Sequence, residues 1–164
     1  LLPPTVWGLD NTLSVALGSF VNSVKVRHSS KSLGRLGDVR EALELVLSAG
    51  DAFNAQVREL IAEPVSDARF ERFLTALTET KSDSKRAQTL AENKRDALRG
   101  LWRTDERVAP WRGTAWGVVS SVNTYTEHEA PIRGADRVTR NAEFMVHGRY
   151  NALDAATLEL LAAV

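Results

Sequence analysis

"DVREALELVLSAGDAFNAQVRELIAEP", residues 38–64, decides the fold class. Val39, Ala42, Leu43, Val46 and Leu47 recur at the three- and four-residue spacing of one helix face, and Phe53, Val57, Leu60 and Ile61 continue the stripe. Asp38 opens the helix. Pro64 closes it, because proline lacks the N–H that a helix interior needs. Gly50 interrupts it at a cost of about 1 kcal/mol relative to alanine.

Working outward, "SDARFERFLTAL" predicts a second helix, with Ser66 as cap and Phe70, Phe73, Leu74 and Leu77 as its apolar face. A third runs over about residues 83–103. Ala87, Leu90, Ala91, Leu98, Leu101 and Trp102 are set there among many charges, which suits a surface helix or one that bridges subunits. Lys85, Arg86, Lys94, Arg95 and Arg99 are interleaved with acids and read as a solvated face. Thr114 caps a helix over "AWGVVSSVNTY", "DRVTRNAEFMVHG" is a short helix stopped by Gly148, and Leu153, Leu158, Leu160 and Leu161 pack the last segment. Toward the start, Asp10 or Asn11 caps a short helix through "TLSVALGSF", and "SVKVRHS" alternates like a half-buried strand. The expectation is a mostly α, single helical domain over 1–164 with one short extended segment near residues 22–30.

Composition narrows the chemistry. With no cysteine among 164 residues, disulfides and thiolate zinc sites are excluded. No apolar run reaches the roughly 20 residues of a membrane helix, and no signal peptide is visible, so a cytoplasmic location is expected. The chain begins at Leu1 and its only methionine is Met145, so it is expected to be the C-terminal portion of a longer protein. The 21 basic and 21 acidic residues cancel, so any nucleic-acid contact must come from a local patch.

One such patch stands out. "KVRHSSKSLGR", residues 25–35, carries Lys25, Arg27, His28, Lys31 and Arg35 and no acid. Clusters of this kind, aided by hydroxyls such as Ser29 and Ser30, hold backbone phosphates. The competing reading is a solvated edge strand protected by its charges. Arg133, Arg137 and Arg140 form a second cluster, partly explained by intrahelical pairing with Asp136. Trp111, in a loop flanked by proline and arginine, is the tryptophan most free to stack on a base, whereas Trp116 sits in an apolar stripe.

The knot Thr124, Glu127, His128 and Glu129 ends "GTAWGVVSSVNTYTEHE", residues 113–129. It lacks the second histidine four residues on that a helical zinc site needs. It therefore reads as the polar flank of a helix that buries Trp116, Val119, Val122 and Tyr125. Catalysis would have to centre on Glu127 and His128. No phosphate loop, dinucleotide fingerprint or nucleophile elbow occurs, so no cofactor is expected.

"GTAWGVVSSVNTYTEHE", the arginine-rich "RGADRVTRNAEF" after it, and the earlier "DNTLSVALGS" with "VKVRHSSKSLGRLGDVREAL" resemble the domain of unknown function 932 family. The resemblance covers nearly the whole chain. It departs where a cysteine often precedes the Asn–Thr pair ("GLDNT" here), and where "NAVTEY" is expected ("SSVNTY" here). Family members also carry a strand-rich half ahead of the asparagine motif, which is absent from these residues. The resemblance implies a phage, prophage or plasmid context in a bacterial host. Accessory genes of that kind often act on DNA in annealing, recombination or replication. A sheet followed by a helix is similar to the layout of single-strand-annealing proteins that form rings, a fold analogy. The expected function is non-enzymatic binding or annealing of single-stranded DNA by a homo-oligomer. The alternative is an interaction or assembly module that engages a host or phage protein.

Overall fold

The computed structural model describes residues 5–9, 12–16, 23–27, 36–80, 82–132, 134 and 136–164. The protein is mostly α. The described residues form strands β1 (Thr5–Leu9), β2 (Thr12–Ala16) and β3 (Ser23–Arg27), then helices α1 (Leu36–Ala62), α2 (Asp67–Leu77), α3 (Lys85–Thr104), α4 (Ala115–Thr124), α5 (Arg137–Val146) and α6 (Arg149–Ala162). A 3-10 turn, Ala109–Trp111, precedes α4, and a π-helical segment, Tyr125–Glu129, extends it. The chain divides within α1 into two compact units, Leu1–Val57 and Arg58–Val164.

The first unit contains an antiparallel sheet in the order β1-β2-β3. The extended segment expected near residues 22–30 is β3. The short helix expected through "TLSVALGSF" is not formed over Thr12–Ala16, which is the central strand β2. Pairing on both sides, Thr5 to Ala16 and Thr12 to Arg27, overrides a local capping signal. Leu47, assigned by period to the buried stripe of α1, is 67% exposed.

The second unit holds the core around α2, α3, α4 and α6. Ser66 caps α2 as expected: its hydroxyl accepts from the Arg69 backbone N–H at 3.2 Å. Phe70, Phe73 and Leu74 are buried. The C-terminal half of α3 is not a surface helix, since Leu98, Leu101 and Trp102 are all buried. The Trp102 ring stacks on Phe70 with centroids 4.4 Å apart, and its indole N–H donates to Asp67 at 2.8 Å. The charges of α3 are not all solvated either. Arg99 grips Glu71 of α2 through two bonds of 2.9 Å, which holds that carboxyl below its ordinary pKa. Arg95 donates twice to the Thr78 hydroxyl, at 3.0 and 2.8 Å. Lys94 is half-buried, and that burial lowers its ammonium pKa.

Thr114 caps α4, accepting from Gly117 N–H at 3.1 Å. The backbone is bolted to the end of α1 nearby: Ala115 N–H donates to Glu63 O at 2.9 Å and Val65 N–H to Gly113 O at 2.8 Å. A Cβ at Gly117 would fall 2.2 Å from the Trp111 carbonyl oxygen, so only glycine allows this approach. The buried face of α4 is Ala115, Val118, Val119 and Val122, with Ser121. Trp116 and Tyr125, expected on that face, are half-buried.

Gly148, at φ 65, breaks the chain between α5 and α6 in the left-handed region, as its position predicted. The packing face of α6 differs from expectation. Tyr150, Asp154, Thr157 and Leu161 are buried, whereas Leu153, Leu158 and Leu160 are half-buried. The four-three-four spacing of 150, 154, 157 and 161 is a helix face, and Asp154 on it is bonded to Asn123 of α4.

Candidate functional site

The primary basic segment falls on β3. Lys25 pairs with Ser14 and Arg27 with Thr12, so the two cations occupy alternate positions of a strand that, among the described residues, has a partner on one side only. His28, Lys31 and Arg35 lie outside the described residues.

The second cluster has another use. Arg133 also lies outside the described residues, but Arg137 and Arg140 are both turned onto the π segment. Arg137 donates to Glu127 O at 3.1 Å and Ala130 O at 3.3 Å. Arg140 donates to Thr126 O, and Asn141 to Glu127 O at 3.2 Å. The cause is backbone arithmetic. The end of a helix leaves its last carbonyls without N–H partners. Here Ala130 N–H reaches Tyr125 O at 2.7 Å, a five-residue closure, and three side chains of α5 satisfy the carbonyls beyond it. The Arg140 guanidinium also lies 5.1 Å over the Phe144 ring. The intrahelical pairing expected between Asp136 and Arg140 is not made. Asp136 instead caps α5, accepting from Thr139 N–H at 2.9 Å.

Trp111 is half-buried and built into the α4 entry: its carbonyl accepts from Thr114 N–H at 3.2 Å and from the Thr114 hydroxyl at 2.6 Å.

The Thr–Glu–His knot is the π segment itself. His128 Nε2 stands 3.7 Å from Glu127 Oε2, and both side chains are substantially exposed. Glu129 pairs with Arg107 at 2.9 Å, which in turn grips Asp105 at 2.6 Å. The hydrogen bond from Arg107 holds the Asp105 carboxyl down at about 2. Among the described residues, no group of three or more His, Asp or Glu is placed to hold a metal ion.

A polar cluster that sequence reading missed lies beside the knot, between α4 and α6. Asn123 donates to the buried Asp154 at 2.9 Å. The Asn123 carbonyl oxygen and the Tyr150 and Thr157 hydroxyls are buried with no hydrogen-bond partner among the described residues. Burial raises the Tyr150 pKa, the Glu127 charge adds to this, and Arg140 opposes it. The only hint in the sequence was the spacing of Tyr150, Asp154 and Thr157, hidden by three leucines on other faces.

An open groove of about 700 Å³ runs along α2 and α3. Arg72 and Arg95 line it together with Glu79 and Glu92, so it presents no single sign of charge to a polyanion. Among the described residues, no helix is long and apolar enough to cross a membrane.

No curated protein and no solved structure matches the chain. One family model does, described as a domain of unknown function (DUF932) and matching residues 10–146. That span takes in β2, β3 and helices α1 to α5, including both the basic strand and the arginine clasp, and on it the chain belongs to the DUF932 family.

Proposed function

We propose that this protein binds single-stranded DNA without catalysing a reaction, as an accessory protein of a phage or plasmid, and that it works as a homo-oligomer. The observation that carries the reading is β3. Lys25 and Arg27 stand on an edge strand, in a run of residues 25–35 that has five basic or histidine positions and no acid. Phosphates are held by such clusters, and each contact releases counterions. Arg137 and Arg140 of the second cluster are bonded to backbone carbonyls of the π segment, so the reading does not draw on them.

The test is fluorescence anisotropy of a labelled single-stranded oligonucleotide across a salt series, with Arg27→Ala beside the wild type. The expected result is salt-sensitive binding whose log–log slope becomes shallower by about 0.7 in the variant. Absence of binding at low salt would overturn the reading.

A second reading, an assembly module engaging a host or phage protein, is favoured by α5. Val138, Met145 and Val146 are 79%, 49% and 57% exposed, and with Ala142 they fall along one face of that helix. A strictly monomeric chain that captures no partner through Val138→Asp-sensitive contacts would count against it.

A further inference from the structure

The register of the sheet carries a second property of the proposed DNA surface, and the inference rests on that reading. Pairing across three strands sorts the residues into rows. Thr5–Ala16–Ser23, Trp7–Ser14–Lys25 and Leu9–Thr12–Arg27 alternate with Val6–Val15–Val24 and Gly8–Leu13–Val26. Successive rows belong to opposite faces of a sheet. The second set is wholly aliphatic apart from one glycine, the composition of a face that a sheet turns from water. The first set holds four hydroxyl residues, both cations of β3, no acid, Ala16, Leu9 and the single aromatic residue of the sheet, Trp7.

Trp7 is placed on the mixed face, where the only cations of the sheet are, and not among the valines of the opposite face. Its row is instead the row of Lys25, two strand spacings or roughly 10 Å away, and the adjoining row on the same face ends in Arg27. An aromatic position on the same face as cations two strands away is an arrangement that suits a single strand: a base stacks on the ring while the backbone runs on to the cations. A duplex cannot use the ring, because its bases are stacked on each other.

We infer that the face of the sheet bearing Trp7, Lys25 and Arg27 is a base-stacking platform, and that Trp7 makes the protein select single-stranded over double-stranded nucleic acid. Charge complementarity names the occupant. Among the described residues the face has two cations and no acid, and an indole is a stacking surface for any base.

The experiment uses the full chain with labelled oligo-dT and a duplex of equal length, each over a salt series. Trp7→Phe keeps a ring, and Trp7→Leu keeps apolar bulk without one. The expected result is a loss of single-strand affinity on the order of tenfold or more in Trp7→Leu, largely recovered in Trp7→Phe, with the salt slope unchanged in both. Duplex binding stays at the wild-type level. Equal single-strand affinity for the Phe and Leu variants overturns the stacking role. If Arg27→Ala still flattens the slope in that case, the phosphate reading survives alone. No binding of either nucleic acid at low salt overturns both.

Discussion

Two basic clusters look alike on paper and differ in the fold. Lys25 and Arg27 sit on an edge strand among rows that contain no acid. Arg137 and Arg140 sit on α5 and are bonded to the carbonyls of Thr126, Glu127 and Ala130. The difference shows that local charge density does not report the availability of a cation. A helix terminus with unsatisfied carbonyls competes for guanidinium groups as a phosphate would, and in α5 the backbone wins because the partner is permanent and close.

The largest effect that would break this contrast is expected from removing both α5 arginines. Arg137→Ala with Arg140→Ala leaves partly buried carbonyls without donors, at about 1–3 kcal/mol each. The urea midpoint of the full chain should fall by an amount corresponding to roughly 2–4 kcal/mol, while the salt slope for oligo-dT stays unchanged. A flatter slope would show that these arginines reach DNA after all. Lys25→Ala with Arg27→Ala should do the reverse. The slope should drop by about 1.4, two contacts at about 0.7 each, with stability within about 0.5 kcal/mol of wild type.

Asn141→Ala removes the bond to Glu127 O and the Oδ1 acceptor that Arg140 donates to at 2.8 Å, and should cost about 1–2 kcal/mol in the same denaturation. Beneath the clasp, Thr157→Val replaces a buried hydroxyl that has no partner by a methyl of similar shape. That change should be neutral or stabilise by up to about 1 kcal/mol. A marked loss would mean that the hydroxyl is satisfied and that the α4–α6 seam is a bonded network.

The smallest effect concerns pH. Asp105 titrates at about 2 against an ordinary 3.8, because Arg107 hydrogen-bonds its carboxylate. A depressed folded-state value means that the contribution is fully present above the unfolded pKa and disappears as pH falls from about 4 to about 2. Arg107→Ala should therefore flatten the stability profile across that window and leave neutral-pH DNA binding unaltered. An unchanged profile would show that Arg107 does not hold Asp105 in solution.

Much of the helical part was legible locally. Ser66, Thr114 and Gly148 act where their types predicted, because caps depend on neighbours within a few residues. The stripes of α2 were readable for the same reason. β2 was not: Asp10, Asn11 and the apolar residues after them suit a helix, and only cross-strand partners three to fifteen residues away, on both sides, make Thr12–Ala16 a strand. The core face of α6 was missed because its buried positions are Tyr150, Asp154 and Thr157, and a search for leucines passes over polar residues that only their neighbours on α4 make tolerable.

The candidate sites divide the same way. The basic run of residues 25–35 was visible as composition, since an absence of acids needs no structure to recognise. That Trp7 shares a row with Lys25 could come only from pairing, which joins positions eighteen residues apart. By itself, the sequence determined a mostly helical chain, its caps and its one acid-free basic run, because these follow from propensities and spacing within a turn or two. The tertiary structure decided which cations are consumed by backbone carbonyls, which polar residues are buried, and which aromatic shares a row with Lys25. Those depend on partners that distant segments supply, and no local pattern encodes them.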